Sequence, residues 1–249
     1  MRANIYSAEE IDKIRQSAKI TGGALDLLES KITPGMTTGD LDKLAEDFIR
    51  SHGGLPAFKG YHGFTGTICA SVNDEVVHGI PGPRVLKEGD IIGVDMGTIL
   101  DGFFSDSCRS LAVGSISEEK QRLLDVTRES LYLAIEEFYE GNRLYTLSNR
   151  VQKHAESAGY GVVKDYVGHG IGYELHEEPQ IPNFGIAGTG PQFKVGMVIA
   201  VEPMINLGTD ATRVLDDGWT VVTQDGQPSA HFEHTIALTE KGAEILTYG

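Results

Sequence analysis

An internal repeat places the strongest constraint on how this chain can fold. The segment Lys87–Gly97 reads KEGDIIGVDMG and aligns with the segment Lys194–Met204, KVGMVIAVEPM, at an offset of 107 residues (87 to 194). Few letters are identical, so a chance match is the alternative. Because no low-complexity linker separates the copies, we predict one domain, residues 1–249, whose halves, of about residues 10–115 and 116–249, are related by a pseudo-twofold axis.

Local signals place a pair of helices ahead of the strands in each half. Ser7 and Thr37 are each followed three positions later by an acidic residue, which is the capping-box signature of a helix start. Ser117 indicates a third helix, expected to run to about residue 139, and a fourth is expected over about residues 146–158. The segments between the helix pairs have the shorter hydrophobic period of strands. This alternation predicts an α+β fold.

The composition excludes several classes of partner. The chain has 36 acidic against 21 basic residues and a formal net charge of −15. That balance argues against a specific nucleic-acid surface and against an anionic membrane, since both attract positive patches.

The two cysteines, Cys69 and Cys108, form no CxxC pair and fit a reducing compartment. The N-terminus lacks the apolar core of a signal peptide, and no run approaches the ~20 apolar residues of a membrane span. We expect a cytoplasmic monomer.

Acidic residues end the repeated apolar runs. Asp95 follows the first run, and Glu202 occupies the equivalent position in the second. The dipeptide Asp101-Gly102 is a strong signal for a two-residue hairpin turn, which would place Gly97 opposite Asp106. Asp95 and Asp106 would then share one face of the sheet as diagonal neighbours, and the missing side chain at Gly97 would leave room for them.

The second half offers a similar pair of acids. Glu233 begins an expected strand much as Asp106 precedes one, although it follows Glu202 by 31 residues (202 to 233) rather than by 11 (95 to 106). The extra length holds a further hairpin signal at Asp217-Gly218. Two hairpins related by a twofold axis would point four carboxylates into one site. Such a set is strongly destabilising unless divalent cations neutralise it.

Histidines complete the candidate site. His169 lies between glycines in GHGIG, and His176 follows seven residues later. Flanking glycines let the backbone at His169 approach a site closely, and a neutral imidazole would complement the carboxylates as a ligand. His231 and His234 flank Glu233 and are candidates for a supporting role. Taken singly, a hairpin Asp is ordinarily a turn residue and a lone His a surface or core residue, so the hypothesis depends on the repeated pattern.

These segments together resemble those of the type I methionine aminopeptidases. That family has the pita-bread fold, an antiparallel curved sheet covered by helices, which it shares with creatinase and the proline-specific peptidases. The resemblance covers essentially the whole chain. It depends on the order and spacing of six segments: VHGIP (77–81), VDMGTILDGFFSD (94–106), GHGIG (168–172), LHEEPQIP (175–182), VEPM (201–204) and HFEHT (231–235).

The resemblance implies a metal centre that holds two divalent ions. Its ligands would be Asp95, Asp106, His169, Glu202 and Glu233. Asp106 and Glu233 would bridge the ions, which in such sites lie about 3.5–4 Å apart, activate a water and polarise the scissile carbonyl. Glu202 would also be the general base, while His78 and His176 would stabilise the tetrahedral intermediate. Carboxylates with one histidine accommodate Mn, Fe, Co or Zn, so the identity of the metal and its occupancy stay open.

The implied substrate is the N-terminal initiator methionine of newly made proteins and peptides, with a small second residue. His78 and His176 would contact this substrate, and His62 would lie beside the site in a lesser role. The resemblance maps the pocket for the methionine side chain onto Phe58, Tyr61, Phe64, Cys69, Leu175 and Trp219. An irregular apolar pocket suits an unbranched thioether. Each of these residues could instead belong to the core, and Phe58 and Leu175 occupy positions at which family members differ.

Three other functions are compared with this interpretation. Proline-specific peptidases of the same fold usually carry a large extra N-terminal domain, whereas about ten residues precede the first expected helix here. The type II methionine aminopeptidases carry a helical insertion for which residues 202–233 leave no room. A metal-free binding protein on this scaffold would have lost ligands, and all five positions are filled here.

The N-terminal segment shows no zinc knuckle or SH3-recognition motif, so a transient ribosome contact would use the catalytic domain.

Overall fold

The structure, a computed structural model, describes residues 3–248. In the first half the elements are α1 (Ala8–Lys31), α2 (Thr38–Ser51), β1 (Leu55–Pro56), β2 (Cys69–Val72), β3 (Glu75–Val77), β4 (Ile91–Leu100) and β5 (Phe103–Ala112). In the second half they are α3 (Glu118–Ile135), α4 (Leu144–Ser157), β6 (Gly161–Val162), β7 (Gly168–Gly170), β8 (Glu177–Ile181), β9 (Val198–Val201), β10 (Met204–Asn206), β11 (Thr212–Val214), β12 (Val221–Thr223), β13 (Ser229–His231), β14 (Glu233–Thr239) and β15 (Gly242–Ile245). The order of two helices followed by strands therefore occurs twice.

The predicted helix starts are confirmed. The Ser7 side chain accepts a hydrogen bond from the Glu10 backbone and the Glu10 carboxylate accepts one from the Ser7 backbone, which completes the capping box of α1. Thr37 begins α2 in the same way. The third helix ends at Ile135 rather than near residue 139, because the backbone hydrogen bonds then shift to tighter turns such as that from the Phe138 N–H to the Ile135 carbonyl.

Nine strands form one antiparallel sheet in the order β1-β4-β5-β14-β9-β7-β8, with β2 on β4 and β15 on β14. Helix α1 packs against β4 and β5, and α3 packs against α4 and against strands of the second half. The predicted α+β architecture, an antiparallel sheet covered by helices, is confirmed. Two smaller three-stranded sheets, β13-β10-β6 and β11-β12-β3, flank it.

None of the helices within residues 3–248 is long and apolar enough to cross a membrane.

The alternation of side chains along the strands separates the core from the candidate site. On β4, Val94 and Met96 join the apolar cluster formed with α1 and α2, so Asp95 between them points to the other face. On β14, Ile236 belongs to the equivalent cluster of the second half, which leaves Glu233 on the opposite side. Both helix pairs therefore pack against one face of the sheet, and the acidic residues lie on the other.

The predicted β4–β5 hairpin is confirmed, and one detail of it was wrong. Asp101 and Gly102 have φ values of 50° and 82°, as a two-residue hairpin turn requires. The register pairs Gly97 with Asp106, which makes Asp95 and Asp106 diagonal neighbours. Gly97 does not leave space for their carboxylates, however. A Cβ there would lie 3.0 Å from the Ala57 Cβ and 3.2 Å from the Phe58 ring, so these side chains fill the gap.

Candidate active site

The predicted metal ligands come from adjacent strands of the nine-stranded sheet. In the order in which these strands lie side by side, they are Asp95 on β4, Asp106 on β5, Glu233 on β14, Glu202 directly after β9, and His169 on β7. Cys108 on β5 lies opposite both Asp95 and Glu233. Since residues paired across neighbouring strands point to the same face, the register brings these acids together.

Three of the predicted ligands form a compact buried cluster. The nearest ligand atoms of Asp106, His169 and Glu233 lie within 4.8 Å of one another. The Nε2 atom of His169 is 3.9 Å from a carboxylate oxygen of Asp106 and 3.5 Å from one of Glu202. Its Nδ1 atom lies 3.0 Å from the Gly170 carbonyl oxygen, so a neutral ring carries its proton on Nδ1 and turns the Nε2 lone pair towards the acids.

Burial and mutual repulsion govern the titration of this cluster. Burial raises the pKa of Asp95 to about 7. Burial and the neighbouring carboxylates also raise the pKa values of Asp106, Glu202 and Glu233. Burial, together with His176, lowers the pKa of His169 to about 3. The protein chain alone therefore disfavours the ionised carboxylates, and a cation among them would reverse that preference.

The donor set fits a divalent metal centre. Among residues 3–248, Asp95 Oδ1, Asp106 Oδ1 and Glu233 Oε1 are buried without a hydrogen-bond partner. Buried carboxylate oxygens ordinarily have donors, and here they face one another and an imidazole lone pair. Carboxylate oxygens with one neutral histidine nitrogen form the kind of set that binds divalent transition metals.

Every predicted site residue lines one cavity of about 320 Å³. With the five predicted ligands it contains His62, His78 and His176, and the predicted pocket residues Phe58, Tyr61, Phe64, Cys69, Leu175 and Trp219. Phe58, Phe64, Cys69 and Leu175 are buried, and the Trp219 indole meets the Phe64 ring edge-on with centroids 5.2 Å apart. The cavity thus joins an acidic cluster to an apolar wall, while the roles of the individual residues stay predictions.

Two of the histidines have strained backbones. His62 and His78 have φ values of 48° and 60°, in the left-handed region that residues with a side chain rarely adopt. Such strain clusters at functional sites. Burial and the nearby His176 lower the pKa of His78 to about 4, and burial and His62 lower the pKa of His176. Because these pKa values are lowered, the rings of His78 and His176 are neutral at pH 7. The His176 Nδ1 atom lies 2.8 Å from the Tyr61 hydroxyl.

The cavity also contains residues that the sequence pattern did not assign. They are Val77, Tyr166, Val167 and Met204. Most lie inside or next to the six quoted segments, and that position was the available signal. The two candidates for a supporting role differ: His231 lies in the cavity, with its Nε2 atom 3.8 Å from a Glu202 oxygen, whereas the Nδ1 atom of His234 lies 2.8 Å from the Thr247 hydroxyl.

The loops around the cavity also match the expected signals. Trp219 lies in the loop of the β11–β12 hairpin, in which Val214 pairs with Val221, so the hairpin signal at Asp217-Gly218 is confirmed with a longer loop. The Asp217 carboxylate accepts the backbone N–H of Trp219 at 2.8 Å and so holds the loop backbone that carries the indole.

The chain matches the sequence model of Metallopeptidase family M24 over residues 12–240. It is 53% identical over 244 residues to a methionine aminopeptidase of Clostridium acetobutylicum, with 98% of each chain covered. Its structure superposes on the crystal structure of the methionine aminopeptidase from Thermotoga maritima with a TM-score of 0.98 and 45% identity, over 100% of both chains.

A more distant similarity concerns the fold alone. The prolidase from Pyrococcus furiosus superposes with a TM-score of 0.81 at 24% identity, over 98% of this chain and 65% of the prolidase. These superpositions confirm the predicted pita-bread fold, a curled antiparallel sheet with helices packed on it.

Proposed function

Because the chain belongs to metallopeptidase family M24, and within it to the methionine aminopeptidases, we propose that it removes the N-terminal methionine from newly made proteins and peptides. The observation that carries this proposal is one cavity in which a buried cluster of acids and His169 adjoins an apolar wall. A cytoplasmic site of action, where new chains begin, fits the free and buried thiols of Cys69 and Cys108.

The metal centre would consist of two divalent ions held by the predicted ligands Asp95, Asp106, His169, Glu202 and Glu233. Asp106 and Glu233 would be shared between the ions, which fits their places between Asp95 and Glu202 in the order of the strands. When bound, such ions polarise the scissile carbonyl and lower the pKa of a water molecule. Without them the unpaired oxygens of Asp95, Asp106 and Glu233 have no electrostatic compensation.

Glu202 would move the proton during the reaction. Burial and the Asp95 carboxylate raise the pKa of Glu202, which suits a group that takes a proton from the attacking water and passes it to the leaving amine. His78 and His176 would act as neutral hydrogen-bond donors. They line the same cavity and would stabilise the oxygen that gains negative charge in the transition state, while orienting the scissile amide.

The rest of the cavity would select the substrate. Phe58, Phe64, Cys69, Leu175 and Trp219 form an apolar wall, and an unbranched thioether can fill such an irregular space. The free amino group of the substrate would lie by the acidic cluster. That placement limits cleavage to the first peptide bond. A small second residue is expected to be preferred, as the family resemblance implies.

The test uses metal-stripped protein titrated with Mn, Fe, Co or Zn under anaerobic conditions. Each sample receives peptides that begin Met-Gly or Met-Pro, with a Met-Leu peptide and a Gly-Pro dipeptide as controls. Metal-dependent release of methionine from the first two, with Met-Leu spared, is the expected result. Cleavage of Gly-Pro alone would assign the chain to the proline-specific peptidases. No cleavage despite stoichiometric metal binding would favour a binding protein on this scaffold.

A further inference from the structure

The N-terminal arm, residues 3–7, packs against the loop that carries two residues of the cavity. Tyr6 precedes α1, yet it is only 4% exposed. Its hydroxyl lies 2.8 and 2.7 Å from the two carboxylate oxygens of Glu177 and donates to that group. The same hydroxyl accepts the backbone N–H of Tyr173 at 3.1 Å. The phenol therefore connects the arm to the cavity loop, residues 172–177.

Glu177 collects most of the hydrogen bonds in this contact. One of its carboxylate oxygens accepts the backbone N–H groups of Tyr173 at 2.9 Å and Glu174 at 3.0 Å. The other accepts the Asn4 side-chain amide at 2.9 Å. A single carboxylate thus closes the turn of the cavity loop and attaches it to the arm. Hydrogen bonds to an ionised group are among the stronger ones in proteins.

Close packing supports the same contact. A Cβ at Gly172 would lie 2.2 Å from the Tyr6 hydroxyl oxygen, so the loop backbone lies directly on the phenol. The Tyr6 and Tyr173 rings have centroids 5.0 Å apart, and the Tyr6 backbone N–H donates to the Gly196 carbonyl at 2.8 Å. Burial and Glu177 raise the pKa of Tyr6, so its hydroxyl keeps the proton that it donates.

Leu175 and His176 lie inside this loop. Leu175 belongs to the same apolar cluster as Tyr6, and His176 directly precedes Glu177 in the chain. We propose that Tyr6 and Glu177 are positioning residues, which hold Leu175 against the methionine side chain and His176 against the scissile amide. This inference rests on the proposed function for its effect on turnover. The positioning itself is a property of the chain and can be measured without substrate.

The first test measures the loop itself. Tyr6→Phe removes only the hydroxyl, and Tyr145→Phe is the control for loss of a tyrosine hydroxyl, because the Tyr145 ring packs against Gly185 and Gly190, outside the cavity loop. Amide hydrogen exchange should accelerate in the cavity loop of Tyr6→Phe, at Tyr173 and Glu174 above all, and remain unchanged in the control. Unchanged exchange in that loop would overturn the proposal whether or not the protein cleaves peptides.

The second test separates positioning from general stability. In the metal-loaded enzyme, Tyr6→Phe should lower kcat/KM for a Met-Ala peptide by about tenfold, since a small displacement of a catalytic group is costly, and bound metal should stay at the wild-type level. In a His176→Ala background the same change should have a much smaller effect on kcat/KM, because the catalytic group that it positions is absent. Equal losses in both backgrounds would show that Tyr6 only stabilises the fold and would overturn the proposal.

Discussion

His231 has a ring nitrogen whose hydrogen-bonding capacity is unused. It is 3% exposed, its Nε2 atom has no partner among residues 3–248, and the nearest carboxylate oxygen is that of Glu202 at 3.8 Å. That distance is too long for a hydrogen bond, but a small rotation of Glu202 would make one. Ser110 fixes the backbone of His231, since its hydroxyl donates to the His231 carbonyl and accepts the His231 N–H. We infer that His231 orients Glu202.

Replacement of His231 should therefore impair turnover more than metal binding. His231→Phe keeps a flat ring but removes the donor, and kcat should fall about tenfold, the size expected for a lost hydrogen bond to a charged group. His231→Gln should retain much of the activity, because the amide can still donate. His234→Phe is the control, since His234 is equally buried but bonded to Thr247 on the other side of the sheet. An equal fall in kcat for both Phe variants would contradict the assignment.

His78 should make stability depend on pH below neutrality. Burial and His176 lower its pKa from 6.5 to about 4 in the folded protein, and its other neighbours are Tyr166, Trp219 and His231. The unfolded chain therefore takes up a proton on His78 between these pH values while the folded chain does not. Stability is lost as the pH falls through this window.

The measurement compares unfolding midpoints of the wild type and of His78→Gln across that window. Glutamine cannot titrate, and the other buried histidines are present in both proteins. The midpoint of the wild type should fall more steeply on acidification from about pH 6.5 to about pH 4. Parallel curves would mean that His78 is protonated as easily in the folded state as in the unfolded one.

The β4–β5 hairpin sets the register that aligns Asp95 with Asp106, and its turn should be sensitive to substitution. Gly102 has a φ of 82°, which costs a residue with a Cβ about 1–2 kcal/mol. Gly102→Ala should lower the free energy of unfolding by that amount and leave kcat per folded molecule unchanged. Gly82→Ala is the control, because a Cβ there meets no atom within 4 Å. Denaturant unfolding of both variants checks the prediction.

This hairpin also shows what the sequence could predict. The turn chemistry of Asp101-Gly102 and the two-residue period of a strand suffice to pair Gly97 with Asp106. Capping boxes likewise fixed the starts of α1 and α2. These signals act over a few residues, so they can be read without knowing the rest of the fold.

Contacts between distant segments could not be predicted in that way. The hydrogen bond from Tyr6 to Glu177 joins residues 171 positions apart, and neither residue has a local pattern that specifies the other. The space beside Gly97 was wrongly assigned for the same reason, because Ala57 and Phe58 enter it from a separate segment. The family resemblance supplied the set of site residues, whereas the supporting contacts required the assembled sheet.

The nine-stranded sheet brings four acidic residues into one site, and the protein chain alone does not stabilise their ionised carboxylates. Asp95, Asp106, Glu202 and Glu233 come from both halves and meet in a buried cluster, and burial raises the pKa of each. The fold therefore brings together groups that repel one another in the absence of a cation. A ligand that binds only the folded state stabilises that state in proportion to its free concentration and affinity. Metal binding and folding should consequently be coupled.

Metal removal should therefore lower the unfolding midpoint, and a divalent cation should restore it saturably. Asp106→Asn and Glu233→Gln should abolish this metal-dependent rise, whereas His78→Ala and His176→Ala should retain it and lose turnover alone. In metal-free protein Asp106→Asn should unfold at a higher midpoint than the wild type, because one buried acid has been replaced by a neutral amide. Thermal unfolding with and without metal measures the midpoints, and release of methionine from a Met-Gly peptide measures turnover. If His176→Ala lost the metal-dependent rise as completely as Asp106→Asn, the division between ligands and proton-handling residues would be wrong.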